Sequence, residues 1–269
     1  MKLPEPTPNW REVFARNPQK LVSLLTSQEA RQYVEKANLD YLHWEKAKYL
    51  KVPTTISPEE FWFLIKISRT PNIKQIPLVD PEGGHYGFWL TDSVLKELHF
   101  IDQNAGGSIL IDNPELSPEA RERYLISSLM EEAIASSQIE GASTTRKVAK
   151  EMLREGRPPK NKAEKMILNN YHTIRKIKSF IGQPLSIDIL HALHESLTEG
   201  TLDDPAAAGR FRTEKDSIVV VDESDGQTLH VPPPARKLPE RIEKFLAFAN
   251  DKSVEPFIHP VVRAVLLHF

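Results

Sequence analysis

The chain has 269 residues, 40% of them apolar, with 35 basic against 37 acidic side chains and a net charge of −2. That length can bury one large core or two modest ones, and the near-neutral balance excludes a general pull toward nucleic acid or anionic lipid. Cysteine is absent, which removes disulfides, thiol catalysis and thiolate metal sites.

The opening MKLPEPTPNW lacks the apolar stretch of a signal peptide. No run approaches the roughly 20 apolar residues that would span a bilayer, so a cytoplasmic protein without a membrane partner is expected. Residues 9 to 70 read as helical, with Leu21, Leu24, Leu25, Tyr33, Val34, Leu42 and Trp44 at helical spacing. Ser57-Pro58-Glu59-Glu60 is a capping box with proline at the first helical position, and it announces a helix through Phe61, Leu64 and Ile65. Ile76 to Val79 and His85 to Leu90 flank a Gly-Gly turn and predict a short hairpin. Thr91 is placed to cap a helix carrying Leu95, Leu98 and Ile101, and Trp44, Trp62 and Trp89 are expected in the core of this first region. The stretch from Asn104 to Ser117 reads as a linker, which gives domains of 1–115 and 116–269.

Beyond the linker helices dominate. Ser117-Pro118 starts one that runs toward Ser137, and Thr145 to Glu155 makes another, stopped by Gly156. Asn161 to Ile181, Ser186 to Leu197, Lys237 to Asn250 and Pro260 to Phe269 follow. Between them Ile218-Val219-Val220-Val221 and Gln227 to Val231 predict a hairpin, whose strand residues include Leu229 and His230. The expected class is therefore mainly α, with one β-ribbon in the second domain.

Near residue 140 the pattern raises a question. Ile126, Leu129, Met130 and Ala133 share a stripe, and Glu140 falls within about 40° of Ile126 on a wheel of about 100° per residue. Ser136 stands four residues earlier, beside it. A buried carboxylate needs a cation or a set of N–H donors. The alternative is a last turn capped by Gly141 with Glu140 in water.

Ser136-Ser137-Gln138-Ile139-Glu140-Gly141 matches the pattern S/T-x-x-x-E-G/N and resembles the inhibitory helix of Fic-domain proteins, the adenylyltransferase (AMPylation) family. The segments ILHALHESLTEGT, AGRFRT, the hairpin, and HVPPPARKLPERIEKFLAFAND resemble that family's consecutive core segments in the family's order. The resemblance covers about residues 116 to 269, with an inhibitory helix over about 117–140. Residues 1–115 are similar to the accessory helical domain that precedes such a core.

The resemblance implies transfer of AMP from ATP, with Mg²⁺, to a hydroxyl of a target protein. It casts Glu140, Ser136 and Gly141 as the inhibitory, ATP-gating group, with Glu140 charge-paired to an arginine. Ile218, Val219, Val220, Val221, Leu229, His230 and Val231 become the flap on which the target docks. The family's loop H-x-F-x-D/E-G-N-G-R-x-x-R, which supplies base, metal ligand and phosphate cradle, does not occur in this sequence. His259-Pro260 lacks its aromatic, acid and glycines, so no catalytic or metal-binding residue is assigned. The apolar face Val262, Val265, Leu266 and Phe269 is still in period at the last residue, and the expectation is a chain cut short of that loop and inactive as it stands. Another nucleotide donor, removal of AMP, and an inert docking module are the alternatives, and a homo-oligomer stays open.

Three further groups have plainer readings. Arg210 and Arg212 are expected to hold local structure near the flap. His191 and His194, three apart on one helical face, lack an evident third metal ligand. Arg154, Arg157, Lys160, Lys162 and Lys165 form a basic stretch without interleaved aromatics, read as a solvated loop rather than a nucleic-acid face.

Overall fold

The computed structural model describes residues 5–80, 82–105, 117–222, 225–251 and 257–268. Among them the protein is mainly α, with twelve α-helices and two small two-stranded sheets. The chain forms two compact units: Met1–Ile109 with Val221–Leu229 and Val254–Phe269, and Leu110–Val220 with His230–Ser253.

In the first unit the long helical stretch is cut where side chains can cap. α1 (Trp10–Arg16), α2 (Pro18–Thr26) and α3 (Gln28–Leu39) follow one another. Asn17 accepts from Lys20 N at 3.3 Å and Ser27 from Ala30 N at 3.3 Å, so each break satisfies donors that a helix start leaves open. After the one-turn α4 (Trp44–Ala47), α5 (Pro58–Arg69) begins on the expected capping box. Glu60 N donates to Ser57 Oγ at 3.2 Å, and Ser57 N donates to Glu60 Oε2 at 2.8 Å.

Five consecutive residues of α5, Phe61 to Ile65, are buried, so this helix is the centre of its core rather than an amphipathic wall. Leu21, Val34, Ala37, Trp44 and Ile56 close around it. Trp89 departs from expectation: it is only partly buried and lies 5.8 Å from the exposed ring of Tyr41, outside that cluster. It follows directly on the hairpin β1 (Lys74–Val79) and β2 (His85–Phe88), whose residues are mostly exposed. α6 (Asp92–Ala105) starts after Thr91, whose Oγ1 accepts from Val94 N at 3.4 Å.

α12 (Pro260–His268) groups with this first unit, although the sequence reading keeps it with the second domain. The tie is His259, whose Nε2 lies 3.0 Å from Asp102 Oδ1 while its Nδ1 accepts from Val261 N at 3.2 Å. The linker expected over Asn104 to Ser117 falls almost wholly outside the described residues.

The second unit is organised by α9 (Lys162–Ile177), which packs between α7 (Pro118–Ile139) and α10 (Ile187–Thr198), with α8 (Arg146–Glu155) completing the core. Ile134, Met152 and Ile167 are almost fully buried there, each contributing about 1.5–3 kcal/mol of hydrophobic stabilisation. α9 also buries polar groups, each with a partner. Asn169 Nδ2 donates to the carbonyls of Leu197 and Glu199 at 3.1 and 2.8 Å, closing the end of α10. Thr173 Oγ1 meets Ser196 Oγ at 2.7 Å. α9 stops at Ile177, four residues earlier than expected, because the last turn tightens into a 3-10 turn at Lys178–Phe180. α11 (Leu238–Asn250) is anchored at its far end by Asn250, which exchanges hydrogen bonds with the backbone of Leu185 at 2.7 and 2.8 Å.

Candidate functional site

The end of α7 is built by its backbone. Gly141 N donates to Gln138 O at 3.1 Å and Ala142 N donates to Ser137 O at 2.9 Å. These are the two bonds of a Schellman cap, and Gly141 takes the left-handed conformation that it requires, φ +95°. Gln138 Nε2 reaches forward to the carbonyl of Thr144 at 2.6 Å, fixing the exit of the chain.

This cap decides the question about Glu140. The carboxylate lies in the turn beyond Ile139 and is exposed, so of the two readings the Gly141-capped turn with Glu140 in water holds, and the inward position does not. The wheel assumed a helix that continues through residue 140, and the glycine stops it one residue sooner. The buried stripe consists instead of Met130, Ala133, Ile134 and Ser137. Ser137, not Ser136, is the inward hydroxyl; its Oγ accepts from Asn170 Nδ2 at 3.2 Å on α9. Ser136 is half-buried and its carbonyl accepts from Glu140 N at 3.1 Å, while no side-chain hydrogen bond joins the pair. Among the described residues Glu140 has no ion pair.

A groove of about 550 Å³ runs along α7, lined by Tyr124, Ser127, Glu131, Ile134, Gln138 and Arg146. Glu131 is its charged centre. It pairs with Lys150 and, at 2.7 Å, with Arg146, and these two partners, Lys150 foremost, hold its carboxyl below the usual range. A second cavity of about 390 Å³ sits at the start of α9, with Lys160, Lys162, Lys165 and Thr201 in its wall. Neither cavity is lined by Ser136 or Glu140.

The ribbon is shorter than its apolar runs. β3 is Val220–Val221 and β4 is Thr228–His230, paired as one small sheet. Ile218 and Val219 lie before the ladder and Val231 after it; residues 223–224 of the expected turn are outside the described set. Asp222 N donates to Gln227 O at 2.8 Å, which closes the turn. Ile218, Val219, Val220, Val221, His230 and Val231 are exposed, with Val231 at 68%, and Leu229 is half-buried. An apolar ribbon in water is an uncommon arrangement for a strand edge and suits pairing with an extended chain.

The arginines before the ribbon do structural work. Arg210 binds Asp216 in a two-pronged pair at 2.9 and 3.0 Å, and its Nε donates to Ala206 O at 2.9 Å. Arg210, the first cause, and donors of Thr213 hold the Asp216 carboxyl far below its ordinary range. Arg212 donates to the carbonyl of Pro233 on the return side. Sequence reasoning missed a stronger charged group. Glu164, 3% exposed, accepts from Arg157 at 2.7 and 3.0 Å and from Lys160 N at 2.8 Å. Those partners, Arg157 first, bring its carboxyl down to about 2. The signal was the capping pattern Asn161-x-x-Glu164, which also gives Glu164 N a partner in Asn161 Oδ1 at 2.8 Å.

Among the described residues no group of three or more His, Asp or Glu side chains could hold a metal ion. No helix there is long and apolar enough to cross a membrane. No protein-family model matches the chain, and none of the curated proteins matches it.

Proposed function

We propose that this chain is the regulatory and target-docking part of a Fic-type protein adenylyltransferase, which transfers AMP from ATP to a hydroxyl of another protein. Support comes from one combination of features: a helix that ends on Ser136-x-x-x-Glu140-Gly141, followed in the chain by an exposed apolar ribbon. Glu140 is held at the tip of a rigid capped helix, available to a cation. The arginine it would pair with is not among its described neighbours, so in this reading the partner comes with the catalytic loop. The base, the metal ligand and the phosphate cradle belong to that same loop, and no chemical step is assigned to the residues present.

The exposure of Glu140 and of the ribbon supports a second reading, an inert docking module that presents an edge to an extended peptide without chemistry. One experiment separates the two. The complete gene product is incubated with α-labelled ATP, Mg²⁺ and a cell extract, beside its Glu140→Gly variant. Gating predicts label on protein and an increase of about tenfold in the variant, the size of an ordinary regulatory coupling. Equal labelling by the two proteins, with unchanged circular dichroism, removes the gate. No labelling by either, together with retained peptide binding, leaves the docking module.

A further inference from the structure

The arm that enters the ribbon runs from the 3-10 turn Pro205–Ala207 through Gly209, Arg210 and Phe211 to the 3-10 turn Glu214–Asp216. It lies on α10, and two histidines receive it. Gly209 N donates to His194 Nδ1 at 2.9 Å, so that nitrogen is an acceptor and the ring is neutral with its proton on Nε2. The approach is close: Gly209 has φ +69°, and a Cβ there would stand 3.1 Å from Glu195 Cβ. One turn earlier the His191 ring meets Phe211 edge-on, with centroids 4.6 Å apart at 66°. Its Nε2 is buried without a protein hydrogen-bond partner.

The Gly209 contact requires an uncharged imidazole, and the buried Nε2 of His191 disfavours a charge there. An imidazolium donates from both nitrogens, so a charged His194 would set N–H against the N–H of Gly209. A charged His191 would bury an Nε2–H that has no protein acceptor. The surrounding charges offer no relief. On the arm, Arg210 is taken up by Asp216, with Asp204 at 3.6 Å, and Arg212 by Pro233 O. On α9, Lys176 Nζ donates to Ala192 O at 3.2 Å and Lys165 pairs with Glu199 at 3.5 Å. Glu195, on α10 itself, is exposed, and among the described residues neither histidine has an ion pair.

We propose that His191 and His194 form a pH-operated latch, which holds the 205–213 arm on α10 while both rings are neutral and releases it when they take up protons. Histidine is the side chain whose ordinary titration spans about pH 5 to 8. The inference rests on the second unit alone and does not require transferase activity.

Amide hydrogen exchange followed by NMR on the full chain tests it. Between about pH 7.5 and about pH 5, protection at Gly209, corrected for intrinsic exchange, is expected to fall about tenfold while Ile167 in the core stays protected. In His191→Phe combined with His194→Asn, which keeps an acceptor oxygen near the Nδ1 position, the fall is expected to shrink below about twofold. An arm that stays protected at the lower pH in the native protein, or the same fall in the double variant, overturns the latch. If that variant does not fold, the ring resonances of the native histidines decide: their titration midpoints must coincide with the loss of arm protection, and separate midpoints overturn it.

Discussion

Two glutamates of the second unit stand at opposite kinds of helix end. Glu164 sits in the first turn of α9, buried, where the helix dipole favours an anion and where Arg157 and Lys160 N supply donors. Glu140 lies just past the last turn of α7, exposed, where the dipole disfavours it and no ion pair compensates. The first carboxylate is explained by the fold it stabilises. The second contributes nothing evident to its own helix, and that is the physical reason to look for its role outside the fold.

The largest expected effect breaks the buried member of this contrast. Glu164→Gln leaves Arg157 without its two-pronged partner and removes the charge that Lys160 N donates to. A loss of about 2 kcal/mol is expected from replacing charge-assisted bonds by neutral ones, read from urea denaturation of the full chain. The pH dependence sharpens the same point. The folded carboxyl lies at about 2, against about 4.3 for an unconstrained glutamate. Its stabilisation is therefore complete above the unfolded value and is lost as pH falls from about 4.5 through about 2. The stability gap between wild type and Glu164→Gln should close across that window; a gap that stays constant would show that the carboxylate's charge is not its source.

How much of this was legible beforehand differs between the two ends. The start of α9 was marked by Asn161, yet Arg157 and its neighbours read as a solvated basic stretch. Pairing across a Pro-Pro bend is a matter of three-dimensional return, not of spacing. At α7 the stripe Ile126 to Ala133 is legible in its period, which leaves Glu140 either inside on a continued helix or in water beyond a Gly141 cap. Gly141 carried the correct signal, since a left-handed residue ends the helical frame. In the first unit the capping box at Ser57 was plain, while the breaks at Asn17 and Ser27 hid inside a continuous helical period. The ribbon's apolar runs overstated its ladder, because β-propensity marks residues fit for a strand, and only Val220–Val221 and Thr228–His230 pair.

A middle-sized effect tests the cap itself. Gly141→Ala puts a Cβ at φ +95°, where the added atom would meet nothing within 4 Å, so the cost is backbone strain alone. About 1 kcal/mol is expected by thermal or urea unfolding. Gly156, with φ +65° at the end of α8 and equally open surroundings, should respond by a similar amount. If Gly141→Ala were neutral, α7 could be extended through residue 140, and the wheel would regain its authority over the position of Glu140.

The smallest effect carries the most weight for function. Glu140→Gln removes one exposed charge from the unfavourable end of a helix dipole, so folding stability should change by no more than about 0.5 kcal/mol, in the stabilising direction. A destabilisation as large as that of Glu164→Gln would mean that the carboxylate has a partner within the fold, and its presence would then need no further explanation. A flat result leaves an anion on a rigid glycine-capped tip that the fold does not use. Such a charge is free to respond to an incoming guanidinium or phosphate without unfolding anything, which is the property a gate requires.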